Sequence, residues 1–275
     1  MAMSINTNVI SLNSQRQLNS TNSALGTAME RLSSGLRVNT SKDDAAGLAI
    51  ASRMETQVRG MNIATRNASD AISLVQTAEG AIGKVSDMLQ RMRELAVQAA
   101  NATNNTGDRG NLDSEFQQLS AEVTRTIANT RFNGSAILAG DAGTSSYQVG
   151  ANSADRVDVI TTNLDSASQI GNVIGGGITT TGAASTAMAN IDEALTLVNT
   201  QRAMYGAVQN RFEAMIQVLQ VNAENTSAAK GRIMDADFAI ETANLSRSQI
   251  LQQAASAMVA QANAMPQQVL QLLRS

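Results

Sequence analysis

The sequence predicts a mainly α (α+β) protein, a long coiled-coil-like helical rod formed by paired N- and C-terminal segments with a small β-hairpin region in the middle of the chain. Three observations carry this. Apolar residues alternate at spacings of three and four over long stretches of both halves. Proline occurs once in 275 residues, at Pro266, so little interrupts a helical backbone. Nine of the nineteen glycines lie between Gly134 and Gly182, which gathers the turns into one Gly/Ser/Thr-rich stretch.

Taken in order, the first segment has Ile5, Val9 and Leu12 as its apolar positions, and Arg16 is the one charged residue between Met1 and Met29. Ser41 with Asp44 three residues on forms a weak capping box and predicts a helix start near Lys42. Ala51, Met54, Val58, Met61, Ala68, Ile72, Val75 and Ile82 then keep the helical rhythm. The stripe shifts phase to Val85, Leu89, Met92, Ala96 and Ala99, as a 3.6-residue turn drifts from a 3.5-residue repeat. A helix over 42–100 would span roughly 90 Å at 1.5 Å per residue. Asn101 to Gly110, rich in Asn, Thr and Gly, ends it, and a second helix is expected over about 111–129.

Strand signals follow at Phe132-Asn133-Gly134, at Tyr147-Gln148-Val149 and at Val157 to Ile160, consistent with one or two short hairpins. Gly175-Gly176-Gly177 and the polar run Thr179 to Thr181 read as an exposed loop or tip. The helical rhythm returns at Ile191, Leu195, Val198, Tyr205, Phe212, Ile216 and Leu219, interrupted by Arg202 and Gln209. Near the end, Leu251, Ala255, Met258, Ala262, Met265, Val269 and Leu272 form a seam held for three heptads. Pro266 removes a backbone bond to Ala262, so a kink is expected there.

Composition excludes several functions. With no His and no Cys there is no Ser-His-Asp triad, no thiolate nucleophile, no disulfide framework and no conventional zinc site. A formal charge of -3 argues against a generic nucleic-acid binder. No run of about 18 apolar residues exists, so no membrane span is expected. Met1 to Leu12 lacks the basic and apolar regions of a signal peptide. Gly80 to Lys84 falls short of a phosphate loop in spacing and lies within a helical stripe. The methionines on the seams are expected to serve as flexible packing residues and not as a copper or haem site. Asp43-Asp44 and Asp235/Asp237 read as helix capping and connector contacts, in preference to paired catalytic or metal-binding carboxylates.

The two ends share a character. From Leu245 to Ser275 the charged residues are Arg247 and Arg274 alone, and the polar positions are Asn, Gln, Ser and Thr. Such residues desolvate at far lower cost than Lys or Glu. Each end is long enough for an amphipathic helix, yet neither buries its seam alone. The physical reading is an oligomer whose interior is made of these helices, with ends that are frayed in the free subunit.

The sequence resembles the bacterial flagellins. The resemblance is carried by SINTNVISLNSQRQL (4–18), ERLSSGLRVNTSKDDAAGLAIASRM (30–54), TRNASDAISLVQTAEGAI (65–82), LQRMRELAVQAAN (89–101), NTRFNG (129–134), QVGAN (148–152), the segment 223–263 with RIMDADFAIETANLS, and PQQVLQLLR (266–274). About 141–185 escapes it. The resemblance implies an innermost filament-core domain from 1–43 with 233–275. It implies a second helical layer from 44–140 with 186–232, and a hairpin and loop region at 141–185 with no substantial outer domain. Gly231 departs from the serine common in the family and is expected to loosen the return connector.

By the same resemblance, the subunit polymerises into a secreted, extracellular flagellar filament for motility, its terminal helices ordering on assembly. Its self-assembly seam is expected at Ile5, Val9, Leu12, Leu251, Ala255, Met258, Ala262, Met265, Val269 and Leu272. The inter-domain connector is expected at Ser41, Asp43, Asp44, Asp235 and Asp237. Receptor recognition or subunit contact is expected at Leu89, Gln90, Arg91, Glu94, Leu95 and Glu115. Implied partners are the chain itself, hook-associated junction and cap proteins, the type III flagellar export apparatus with an export chaperone, and a flagellin-sensing Toll-like receptor. Neither nucleic acid nor membrane is among them, and no cofactor is expected. The alternative is the hook–filament junction protein of the same superfamily. A protease of the kind some flagellins carry needs an HExxH helix, which a chain without His cannot supply.

Overall fold

The computed structural model describes the backbone of residues 7–272 and the side chains of 7–265. Ile5 lies outside the described residues, as do the side chains of Pro266, Val269 and Leu272. Six helices account for most of the described chain: α1 (Val9–Ser34), α2 (Ala45–Ala100), α3 (Thr106–Asn129), α4 (Ser168–Ile174), α5 (Thr181–Met234) and α6 (Phe238–Leu272). Between α3 and α4 lie two antiparallel two-stranded sheets, β1 (Arg131–Phe132) with β2 (Ser135–Ala136) and β3 (Thr144–Gln148) with β4 (Arg156–Ile160). The chain divides into two compact units, one of 1–56 with 225–275 and one of 57–224.

In the first unit α1 and α6 run antiparallel. Asn8 caps α1 by accepting from Ser11 N at 3.1 Å, and Gly35 closes it in the left-handed conformation at φ 72° with its N–H on Arg31 O. This helix is rich in Ser and Thr, and several of their hydroxyls are satisfied by carbonyls one turn back. Ser14 donates to Ile10 O, Thr21 to Gln17 O and Thr27 to Ser23 O. The same device recurs in α2 on Thr65, Ser69, Ser73 and Thr77. Helix α6 runs through Pro266 without a break in its helical backbone.

The second unit holds the main core. It draws on Ala68 to Ala99 of α2, Phe116, Val123 and Ile127 of α3, Val157 and Val159 of β4, Ile170 and Val173 of α4, and Ala184 to Phe212 of α5. The phase shift read from sequence is present, since Val85, Leu89, Met92, Ala96 and Ala99 are all fully buried. Strand β4 alternates, with Val157 and Val159 inward and Arg156, Asp158 and Ile160 outward. The β1–β2 turn has positive φ at both Asn133 (48°) and Gly134 (88°), the backbone an Asn-Gly hairpin turn needs.

Four local expectations are corrected. Helix α2 begins at Ala45, not near Lys42, because Asp44 and not Ser41 is its cap: Gly47 N donates to Asp44 Oδ1 at 2.8 Å. Helix α3 begins at Thr106, five residues before the expected start, because Asn105 and Asp108 form a reciprocal capping box inside what reads as loop. Residues 168–174 form α4, whose Ile170 and Val173 are buried. The triglycine segment is no exposed tip. Ile178 is fully buried and its N–H donates to Asp113 Oδ1 at 2.7 Å, while Gln117 Nε2 reaches Gly176 O at 2.9 Å and Ser120 Oγ reaches Ile174 O at 3.3 Å. Asp113, Gln117 and Ser120 lie on one face of α3, so that helix supplies the partners the Gly-rich backbone lacks. The polar run at 179–181 starts α5, with Ala183 N on Thr180 Oγ1.

Candidate self-assembly surfaces

The pairing of α1 with α6 uses small and polar side chains. Ser11, Thr21 and Ala28 of α1 and Glu241, Ser248 and Ala262 of α6 are buried, with Leu18, Leu25, Leu32, Gln252, Ala255 and Val259 half-buried. Polar contacts cross the pair: Asn8 Nδ2 to Ala262 O at 2.7 Å, Ser11 Oγ to Asn263 Oδ1 at 2.7 Å, and Gln252 Nε2 to Asn22 Oδ1 at 2.9 Å. Arg31 Nη1 meets Glu241 Oε1 at 3.1 Å.

Many of the other large apolar side chains face away from the pairing. Val9 (63 % exposed), Leu12 (51 %), Leu251 (46 %), Met258 (58 %) and Met265 (40 %) are all turned out, together with Ile10, Met29, Phe238, Ile240 and Ile250. The expected seam is therefore split. Ala255 and Ala262 face α1, whereas Leu251, Met258 and Met265 do not. The packed stripe of α6 is turned by part of one residue step, toward Glu241, Ser248, Gln252 and Val259. Close approach of two helix backbones favours Ala and Ser, and the larger side chains are left on the flank. Leu251, Met258 and Met265, spaced by seven, share one side of α6, and exposed apolar groups of this kind are what another chain can cover.

The connectors clasp each other. Leu36 bridges Asp235, Arg37 N donates to Met234 O at 2.7 Å and Ala236 N to Gly35 O at 2.9 Å. Of the expected connector residues, Asp44 caps α2 and Asp237 caps α6, accepting from Ala239 N at 2.9 Å and Ile240 N at 3.2 Å. Ser41 is exposed and caps nothing. At Gly231 a Cβ would lie 2.8 Å from Asp235 Oδ2, so the glycine gives room for that carboxylate. Asp43 accepts from Thr40 N at 2.9 Å, Thr40 Oγ1 at 3.0 Å and Asn39 N at 3.3 Å. These donors, the Thr40 N–H above all, hold its carboxyl below the ordinary value of 3.8. A depressed folded-state pKa contributes stability above the unfolded value, lost as pH falls through the folded one. The Asp43 carboxyl carbon is accordingly expected to titrate by NMR with a midpoint below 3.8, and a midpoint at or above it removes the turn geometry.

On the second unit, Arg91 lies between two carboxylates, with Nε on Glu115 Oε1 and Nη1 on Glu94 Oε2, both at 2.9 Å. The Glu94 and then the Glu115 hydrogen bond hold its guanidinium above its ordinary pKa. Beside it, Gln90, Arg93, Glu94, Val97 and Gln98 line a shallow groove, and Arg93 bonds Asp192 of α5 at 2.7 and 3.3 Å. Leu89 and Leu95, expected on this surface, are instead in the core at 0 % and 1 % exposure. Leu89 lies across the helix from Arg91, facing the core, and Leu95, one turn beyond Arg91, is buried at the edge of the core-facing side. Sequence reasoning also missed Arg31, Glu241, Ser11 and Ser248. The signal for them was the period of seven that joins Glu241, Ser248, Ala255 and Ala262.

Comparison with known proteins matches this architecture at both ends. Residues 5–142 fit the family model described as bacterial flagellin N-terminal helical region, and 188–273 fit the bacterial flagellin C-terminal helical region. The chain belongs to the bacterial flagellin family. This flagellin is 46 % identical to a flagellin of Halalkalibacterium halodurans over 272 residues, covering 99 % of this chain and 100 % of that one. It is 40 % identical to a flagellin of Bacillus subtilis, again over 99 % and 100 % of the two chains. The crystal structure of Bacillus cereus flagellin superposes with a TM-score of 0.52 at 33 % identity, covering 60 % of this chain and 94 % of that one. A putative flagellar hook-associated protein from Vibrio parahaemolyticus shares the fold at a TM-score of 0.60 and 15 % identity, covering 70 % of this chain and 100 % of that one.

Proposed function

We propose that this flagellin is the structural subunit of an extracellular flagellar filament for motility, and that the outward apolar face of α1 and α6 is the surface by which copies join. The observation that carries the reading is the split of apolar side chains: small residues with Leu18, Leu25, Leu32 and Val259 pack the two helices together, while Val9, Leu12, Leu251, Met258 and Met265 stay exposed. Burying such side chains among copies contributes about 1.5–3 kcal/mol each. The terminal helices, poor in charge, then order fully on assembly. In this reading 1–43 with 233–275 form the innermost layer, 44–140 with 186–232 the next, and 141–185 a small variable region. The filament-subunit role is preferred to the junction protein because the similarity to flagellins runs the full chain at up to 46 % identity. The hook-associated proteins, the export apparatus with its chaperone and a Toll-like receptor are partners this reading adds. For the receptor, the exposed Gln90, Arg91, Glu94 and Glu115 form the contact, with Leu89 and Leu95 holding the helix from beneath. No catalysis is part of the reading.

The test is salt-induced polymerisation followed by electron microscopy. The parent is expected to give long filaments. Leu251→Asp with Met258→Asp is expected to give none, because each charge would be buried without a partner at about 3–5 kcal/mol. Both side chains are exposed in the free subunit, so its unfolding transition should not move. Filaments of normal length from the double variant would remove these residues from the interface.

A further inference from the structure

We infer that Met258 and Met265 form a peroxide-sensitive switch on assembly: once oxidised to sulfoxides in the free subunit, they bar it from the polymer. The inference rests on the polymer reading above and names a regulation of that same face, because the oxidation matters only if copies bury these side chains.

Composition narrows the chemistry. The chain has no Cys, no His and no Trp, so the side chains that a peroxide oxidises readily are the thioethers of its 13 methionines. Exposure then selects among them. Met92 is in the core at 0 % and Met61 is 9 % exposed, whereas Met29, Met204, Met258 and Met265 are open to solvent. Met258 and Met265 lie seven residues apart on α6 in line with Leu251, and supply two of the three large apolar groups on that side of the helix.

The step is an oxygen transfer. The thioether sulfur attacks one peroxide oxygen, and the O–O bond breaks as the S–O bond forms. The departing hydroxide takes the proton left on the transferred oxygen and leaves as water. Sulfur is oxidised by two electrons and the peroxide is reduced by two. The product replaces an apolar, flexible group with a polar one that carries an acceptor oxygen, and burying that oxygen without a donor is unfavourable. The pairing of α1 with α6 does not resist the change, since Gln252, Ala255, Val259 and Ala262 make that contact on α6 and both methionines face away from it. The oxidised subunit therefore keeps its fold and loses the face that joins copies. Reversal needs an external thiol-dependent sulfoxide reductase, because the chain has no thiol of its own.

The test uses the parent chain. Free subunits are treated with hydrogen peroxide to an average below one sulfoxide per molecule, the peroxide is destroyed, and the filaments formed in salt are sedimented. Peptide mass mapping then reads each methionine in pellet and supernatant. Sulfoxide at Met258 and at Met265 should be scarcer in the pellet by about tenfold or more, the factor given by losing the burial of one large apolar side chain. Met204, exposed on the second unit, gives the reference partition. Equal sulfoxide at Met258 and Met265 in the two fractions overturns the inference. After heavier oxidation the parent should give no filaments and recover them on treatment with sulfoxide reductase and dithiothreitol, while M258L/M265L should polymerise at its untreated yield. Loss of filaments from M258L/M265L on oxidation alone assigns the effect to another methionine and overturns the inference too. Preformed filaments given the same peroxide should shield both residues. Filaments in which they oxidise as fast as in the free subunit, or an untreated parent that gives no filaments, count instead against the polymer reading, which keeps the two failures apart.

Discussion

Deleting residues 251–275 is expected to abolish polymerisation and leave a soluble subunit whose second unit is unchanged. The deletion removes Leu251, Met258 and Met265 from the outward face, and with them the partners of Asn8, Ser11 and Asn22 on α1. The N-terminal part of α1 loses its partner while the end near Arg31 keeps Glu241. An unpaired helix of that length is marginal in water, so α1 should lose helicity from its start. The second unit, 57–224, contributes nothing to the deleted stretch. Both tyrosines (Tyr147 and Tyr205) and three of the four phenylalanines (Phe116, Phe132 and Phe212) lie within it. The tyrosine band of the near-ultraviolet circular dichroism therefore reports that unit alone and should match the parent, while the far-ultraviolet helical signal falls. Filaments in micrographs of the deletion variant would refute the role given to this segment.

The sequence revealed most where large side chains keep a helical period. Val85, Leu89, Met92, Ala96 and Ala99 could be read off as a stripe, and the stripe is the core-facing side of α2. The Asn133-Gly134 turn was equally legible, because positive φ at both positions is a local demand that few residues meet. The rest was hidden for identifiable reasons. Helix α4 is seven residues long with no side-chain cap, and the core recruits it through Ile170 and Val173 alone. The order of the triglycine segment depends on Asp113, Gln117 and Ser120, some 55 to 65 residues away in sequence, a distance over which local reading has no reach.

The terminal surface failed in a more instructive way. Periodicity finds the stripe of greatest hydrophobicity, Leu251 through Met265, and assigns it to the nearest helix. Here α1 takes the neighbouring stripe of Ser248, Ala255 and Ala262, because backbone proximity favours small residues. In a chain that pairs with itself and also faces other copies, one helix carries two seams, and hydrophobicity alone marks only the outer one.

Phe212→Ala is expected to destabilise the second unit by about 3–5 kcal/mol, with the loss of a ring pair adding about 0.5–1.5 kcal/mol. Phe212 of α5 is fully buried and meets Tyr147 of β3 edge to face, centroids 6.1 Å apart at 82°. That contact joins the buried Val157 and Val159, and Asn67 Nδ2 of α2 on Gln148 O at 2.9 Å, in holding the β3–β4 hairpin to the helices. The surrounding core is made mostly of Ala, Val, Ile and Leu, so apart from Tyr147 little nearby volume is able to fill the space. Burial also raises the pKa of Tyr147 above 10.0, with Asp70 adding to the shift. A raised folded-state pKa means the phenol's contribution is complete below the unfolded value and lost as pH rises through the folded one. Opening the site should bring Tyr147 back toward 10.0, readable as an earlier alkaline transition in tyrosinate absorbance. Urea unfolding followed by tyrosine emission, which no Trp obscures, measures the stability change. A loss under about 1 kcal/mol, below the range for emptying an aromatic site, would mean the hairpin is held by its backbone contacts and not by this ring pair.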